Sequence, residues 1–295
     1  MADGPLNTPE AKSQFTAAFK EYARSIGADL VGIANIERFD DVAANHHPRA
    51  IFPEGRSVVM IGKRITRGSL RGVEEGTQFD LYSQYGRDWL NNRFLAMCTF
   101  KAAEFLEDNG WESVPVPNLP PQVPPMGIPV REGQPAPNVM IDFEDAAVRA
   151  GLGEIGFCGV LLTPQFGPRQ RVQLIITDAP LDPDPLVAEP ICDRCVEKEE
   201  ACPLGAIHVE SVTERVICGK AMPVARIEYG KCRSCANGAA PNPHYTSGLP
   251  DRLAAFCMRT CVSHLEETGR VQNTFENPFR QRNPWQVITE RRIIS

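Results

Sequence analysis

The chain has 295 residues, 42% hydrophobic and 23% charged, with a formal net charge of −6, a composition that suits a globular protein of one large domain or two ordinary ones. The acidic balance argues against a nucleic-acid partner, which calls for a basic patch, and no apolar run approaches the roughly 20 residues of a membrane span. The first thirty residues are polar and mixed in charge, without the pattern of a secretory signal, so a cytoplasmic location is expected.

PEAKSQFTAAFKEYARSIG, from Pro9, places apolar residues at helical spacing and predicts a helix closed by Gly27. ADLVGIANI follows as a strand, and SVVMIGKRI, from Ser57, as a second buried one. The segment from Phe79 contains a long helix ending at Asn109-Gly110, and WESVPVP returns as a short strand. Residues 115–137 are too rich in proline for a regular element and are read as a lid or pocket wall, or as a surface excursion. A short helix then ends at AGLG, and GVLLT and RVQLIIT follow as strands joined by PQFGPRQ. Helices mixed with hairpin-like strands predict an α+β fold. The proline-rich DAPLDPDPLVAEP, residues 178–190, marks a boundary that divides 1–186 from 187–295.

The second part holds eight of the ten cysteines: Cys192, Cys195, Cys202, Cys218, Cys232, Cys235, Cys257 and Cys261. In a chain expected in a reducing compartment, such density points to metal or redox chemistry rather than disulfides. ICDRCVEKEEACPLGAI follows the bacterial ferredoxin run C-x2-C-x2-C-x3-C-P except at its third position, where Lys198 stands. Eight thiols suffice for two [4Fe–4S] clusters. The ferredoxin cross-over rule gives one cluster Cys202, Cys232, Cys235 and Cys257. The other takes Cys192, Cys195 and Cys261 and lacks a ligand. Cys218, the unassigned cysteine of the region, is expected to complete it; a three-cysteine cluster with a labile iron is the alternative. Zinc on paired C-x2-C motifs is the competing metal, though neither the Cys-Pro step nor the C-x3-C pair suits it. Cys98 and Cys158 read as buried small hydrophobes.

The blocks AAVRAGLGEIGFCGVLLTPQFGPRQRVQLIITDAPL, ICDRC…ACPLGAI, YSQYGRDWLNNRF and ADLVGIA resemble the epoxyqueuosine reductase and reductive dehalogenase superfamily. The resemblance implies a nitroreductase-like first domain that holds a corrinoid (cobalamin), then a ferredoxin-like domain with two [4Fe–4S] clusters that feed electrons to it. It places the turn with Gly151, Gly153 and Gly156 and the LLTPQFGPRQR loop, with Thr163, Arg169 and Arg171, against the cofactor, and the Tyr85–Asp88 segment near the substrate. It also implies a small organic substrate and an electron donor such as ferredoxin or flavodoxin. The transfer-RNA substrate of the epoxyqueuosine reductases is not carried over. Two rival readings stay open: an electron carrier serving a separate corrinoid protein, and a flavin (FMN) in the nitroreductase-type pocket.

A reductase also needs a proton donor, and Tyr85 and Asp142 are the candidates. Their plainer readings are a helix anchor and the N-cap of FEDAAVRA. Arg169 and Arg171 could grip an anionic group through their planar forks, or be exposed hairpin charges. His46, His47 and His244 could ligate a metal, but read equally as ordinary polar residues. GLGEIG follows a helix instead of joining a strand to a helix, so it is not a dinucleotide fingerprint.

Overall fold

The computed structural model describes residues 6, 8–117, 127–137, 139–197, 201–242 and 248–284. Lys198, His244 and part of the proline-rich stretch lie outside them.

Helix α1 (Pro9–Ser25) starts where Thr8 accepts a hydrogen bond from the Ala11 amide, and it ends just before Gly27, whose φ of 106° reverses the chain. Strands β1 (Leu30–Asn35) and β2 (Ser57–Arg64) pair antiparallel. Short helices α2 (Arg71–Glu74) and α3 (Asp80–Tyr82) lead into two wide π-type turns, Ser83–Asp88 and Leu90–Leu95, before α4 (Ala96–Asp108). The long helix expected from Phe79 is therefore regular only in its second half. β3 (Ser113–Val116), α5 (Phe143–Arg149), β4 (Glu154–Ile155), β5 (Leu161–Leu162) and β6 (Gln170–Thr177) follow.

The main sheet has the order β1-β2-β6-β3, with antiparallel neighbours throughout. Alternation sorts its side chains to two faces. Val58, Met60, Val172, Leu174 and Ile176 pack on one side with α5. Val59, Ile61 and Ile175 pack on the other with α1 and α4. Both faces are buried, which accounts for the near-continuous apolar runs in β2 and β6.

Residues 178–190 are extended, as the prolines require, but they are not a free linker. Asp184 accepts from the Ile33 amide at 2.9 Å and pairs with Lys20 at 2.5 Å, fastening the segment along β1. Beyond it lie the hairpin β7 (Ile207–Ile217) and β8 (Lys220–Ile227), a short α6 (Tyr229–Arg233), and α7 (Phe256–Glu267). Packing crosses the expected boundary in two places. Ile217 and Met222 of the hairpin join the core on the α5 face of the sheet. Ala254, Val262 and Phe279 share a core with Ile65, Leu70, Val73 and Tyr82. Arg259 of α7, 1% exposed, forms a buried ion pair with Glu74 of α2.

Candidate functional site

Among the described residues none of the ten cysteines forms a disulfide, and nine of them lie in three distinct places at or beyond the glycine turn. Cys202, Cys232, Cys235 and Cys257 line one small cavity of about 20 Å³, with Arg252 and Phe256 among its other walls. Cys202 follows from the Cys-Pro step, Cys232 and Cys235 sit on and just after α6, and Cys257 stands in the first turn of α7. The Cys202 sulfur accepts from the Ala206 amide at 3.2 Å.

A second group forms one helical turn away. Cys261, four residues after Cys257 on α7, packs in the same buried cluster as Cys158, with Cys192 and Cys195 against it. The Cys192 sulfur accepts from the Phe157 amide at 3.3 Å. Glu154, 4% exposed, accepts from the Ile191 and Cys192 amides, both at 2.8 Å, and pairs with Lys220 at 2.8 Å. Burial pushes the thiols of Cys158, Cys192, Cys232, Cys257 and Cys261 above their ordinary range, Cys257 to about 12. Among the described residues, no three of these sulfurs lie within 4.8 Å of one another. Four thiolates around a tetrahedral zinc, at about 2.3 Å from the metal, stand only about 3.8 Å apart. Cys195 does lie that close to Asp193 and His264, which form an ion pair of their own at 2.8 Å.

The structure does not bring Cys218 to either group, contrary to the expectation from spacing. It occupies the β7–β8 turn with φ of 49°, and its sulfur faces the Arg38 carbonyl at 3.7 Å and Arg149 at 3.8 Å. Hairpin pairing carries it to the α5 side of the sheet, and sequence distance alone could not reveal that.

Beside the first group opens a larger cavity of about 270 Å³. Its walls come from the π-type turns (Arg87, Asn91), the start of α5 (Asp142, Phe143, Glu144), the turn into β5 (Gly159, Val160, Leu161), β6 (Gln170, Arg171, Val172) and the segment before α7 (Leu249–Leu253). Arg252 walls both this cavity and the one lined by cysteines. Its Nη2 donates to the Cys158 carbonyl at 2.8 Å, while its buried Nη1 has no hydrogen-bond partner. Burial alone would weaken its charge, but the neighbouring Cys257, Tyr229 and Cys158 raise its pKa.

Arg171 is in this cavity wall, but half-buried instead of exposed. It pairs with Asp251 at 2.6 Å, and donates to the Tyr82 hydroxyl at 2.7 Å and to the Gly86 carbonyl at 3.0 Å. Tyr82 in turn donates to Asp251 at 2.8 Å. Burial alone would raise Asp251, yet Arg171 outweighs it and holds the carboxyl low; burial raises Tyr82 far above its usual value. Every fork of Arg171 named here is committed to protein, so it is a fixed wall rather than a free anion grip.

Asp142 lines the cavity and is also the N-cap of α5, accepting from the Glu144 and Asp145 amides at 3.0 and 3.1 Å, with Arg215 at 2.6 Å. Two residues on, Glu144 is the better proton holder. Burial, and then the charge of Asp142, push its carboxyl up to about 7. The signal for it in the sequence was the carboxylate run DFED behind an apolar stretch; the N-cap reading absorbed Asp142 and left Glu144 unexamined.

The other expected site residues lie elsewhere. Tyr85 is 47% exposed, stacks edge-on with Trp89 and faces a separate groove lined by Lys63 and Arg64. Of its segment, Arg87 is the residue that reaches the large cavity. Gly151, Gly153 and Gly156 do not line it. A Cβ on Gly151, which also has φ of 74°, would strike the Pro185 carbonyl, and one on Gly153 would strike the Leu162 carbonyl, so these glycines serve backbone packing. Thr163 is fully buried and donates to Gln170 at 3.0 Å. Arg169, 2% exposed, donates to the Ile65 carbonyl and to Asn273, both at 2.8 Å, which ties the C-terminal segment to the sheet. His46 bonds the Met140 carbonyl and His47 accepts from the Arg49 amide.

Mixed α/β architecture, two groups of largely buried thiols and a cavity beside them define a thiol-rich protein with room for a ligand. No protein-family model matches the chain. In sequence the chain resembles the reductive dehalogenases and epoxyqueuosine reductases, all named as reductases. It is 43% identical over 67 residues to a tetrachloroethene reductive dehalogenase of Desulfitobacterium hafniense, covering 22% of this chain and 12% of that one. It is 34% identical over 79 residues to an epoxyqueuosine reductase of Listeria monocytogenes, covering 26% and 21%. A solved reductive dehalogenase, reported with a mechanism for B12-dependent dehalogenation, matches with a TM-score of 0.50 at 20% identity, covering 78% of this chain and 30% of that one. That likeness shows the fold. The chain thus spans well under half the length of these relatives. One solved epoxyqueuosine reductase, with a TM-score of 0.44 at 20% identity, was determined with an epoxyqueuosine-modified tRNA stem loop. No helix among the described residues is long and apolar enough to cross a membrane.

Proposed function

We propose that the chain is an iron–sulfur oxidoreductase with two [4Fe–4S] clusters, one in each thiol group, and a corrinoid in the large cavity, acting on a small organic substrate. The observation that carries this reading is Arg252, which walls both the cysteine cavity and the large one and keeps a buried, unpartnered Nη1 there. A cation left unpaired in the interior is costly unless a negative partner arrives, and a cluster on four thiolates is such a partner. Sulfurs spaced too widely for one zinc suit a polynuclear core, and amide donors to Cys192 and Cys202 are of the kind that tune cluster potentials.

When bound, the clusters would supply electrons singly and the corrinoid would supply a low-potential cobalt for substrate reduction. This chain's residues do the rest. Arg171, Asp251 and Tyr82 form a rigid charged wall. Glu144 keeps a proton at its carboxyl near neutral pH and offers it to the cavity. On this reading residues 1–186 form the nitroreductase-like cofactor domain and 187–295 the ferredoxin-like one, docked through α7. A ferredoxin or flavodoxin would supply electrons, in the cytoplasm.

The test is anaerobic purification followed by iron, sulfide, cobalt and absorption measurements. About eight iron and eight sulfide per chain, with cobalt and a corrinoid band, support the reading. A flavin band replaces the corrinoid by FMN; iron–sulfur absorption alone reduces the protein to an electron carrier. Zinc in place of iron and sulfide overturns the proposal.

A further inference from the structure

We propose that Cys158 supplies the fourth thiolate of the cluster held by Cys192, Cys195 and Cys261, replacing the cysteine that the ferredoxin run lacks at position 198. The inference rests on the two-cluster reading and adds a ligand from outside the ferredoxin-like segment.

Four observations support it. Cys158 is 7% exposed and packs in one buried cluster with Cys261, with Cys192 and Cys195 against that cluster. The turn that carries it is laced to the Cys192 loop from both sides: Phe157 donates its amide to the Cys192 sulfur at 3.3 Å, and Glu154 holds the Ile191 and Cys192 amides at 2.8 Å. The backbone at Cys158 is pinned by Arg252 on its carbonyl at 2.8 Å, and Gly159, at φ of 67°, turns the chain away immediately after. Finally, the rival ligand lies elsewhere: the Cys218 sulfur faces the Arg38 carbonyl at 3.7 Å and Arg149 at 3.8 Å. A [4Fe–4S] cluster takes four cysteine thiolates, each losing its proton as sulfur binds iron. Cys192, Cys195 and Cys261 would supply three; of the two further cysteines in the same packing group, Cys257 lines the other cysteine cavity, which leaves Cys158 as the fourth.

The experiment compares wild type, Cys158→Ala, Cys158→Ser, Cys218→Ser and the double variant Cys158→Ala/Lys198→Cys after anaerobic reconstitution. Readouts are iron, sulfide and EPR spectra of oxidised and reduced protein. Cys158→Ala is expected to fall from about eight iron to between about four and seven, by loss of one iron or one cluster. Lys198→Cys is expected to restore the count by refilling the ferredoxin position, which a mere packing role for Cys158 would not allow. Cys158→Ser nearly keeps the volume, so it tests the ligand should the alanine variant fail to fold. It is expected to alter one cluster's EPR signal, through iron loss or oxygen ligation. Cys158→Ser with full iron and an unchanged spectrum overturns the proposal, as does loss of a cluster in Cys218→Ser. A wild-type chain that takes up neither iron nor sulfide sinks the two-cluster reading itself.

Discussion

The two thiol groups share a helix but differ in how they are assembled. Cys202, Cys232, Cys235 and Cys257 all come from the part after residue 200 and surround their own cavity. Cys192, Cys195 and Cys261 instead meet a turn, Glu154 to Gly159, that belongs with the sheet and α5. The first group depends on its local segment; the second depends on how the sheet and the cysteine-rich region dock. Stability and metal content should therefore respond differently to changes at the junction.

The harshest way to break both is to remove Glu74. Arg259 lies between Cys257 and Cys261 on α7, and Glu74→Ala leaves its guanidinium buried without a carboxylate. The expected cost is about 3–5 kcal/mol in chemical denaturation, with iron lost from both groups. A gentler change separates them. Glu154→Ala orphans the Ile191 and Cys192 amides and removes the carboxylate partner of Lys220, at about 2–3 kcal/mol. Only the Cys192 group's EPR signal should change; equal damage to both would refute the difference in assembly.

Glu144 gives a smaller and pH-dependent effect. Its folded pKa, about 7, lies above the ordinary 4.5, so the folded state binds the proton more tightly than the unfolded one. The resulting stability is fully present below pH 4.5 and is lost as the pH rises through 7, about 2 kcal/mol after allowance for water in the cavity. Glu144→Gln should flatten the dependence of melting temperature on pH in that window; an unchanged slope would show the carboxyl to be ordinary. The smallest effect is expected at the hairpin turn. Cys218→Ser should stay within about 0.5 kcal/mol of wild type and keep all iron.

Strands β1, β2 and β6 were legible because both faces of the sheet are covered, which leaves unbroken apolar runs. Helix α1 was legible from Pro9 and Gly27, which mark its ends. The β7–β8 hairpin was not: its strands are largely exposed, a register shift between His208 and Val212 breaks the alternation, and Ile217 and Met222 are its buried residues in the core on the α5 face. That unread hairpin also explains why Cys218 looked like a ligand. Sixteen residues after Cys202 is a plausible reach for a loop, but not for a paired strand that runs to the α5 side of the sheet. Cys158 looked like a small hydrophobe because its partners lie thirty or more residues away. Glycines in AGLGEIG suggested a ligand cradle where they answer to carbonyls of Pro185 and Leu162.

Helix α7 holds one sulfur of each group four residues apart, about 6 Å along its axis. The helix is thus a ruler between the two thiol groups. Their axial offset on it is set by main-chain pitch, so in the proposed two-cluster protein an electron crossing between the groups would meet the same helical span whichever cluster is reduced. Inserting one residue between Cys257 and Cys261 would swing one sulfur about 100° around the axis and uncouple the pair while leaving the helix itself intact.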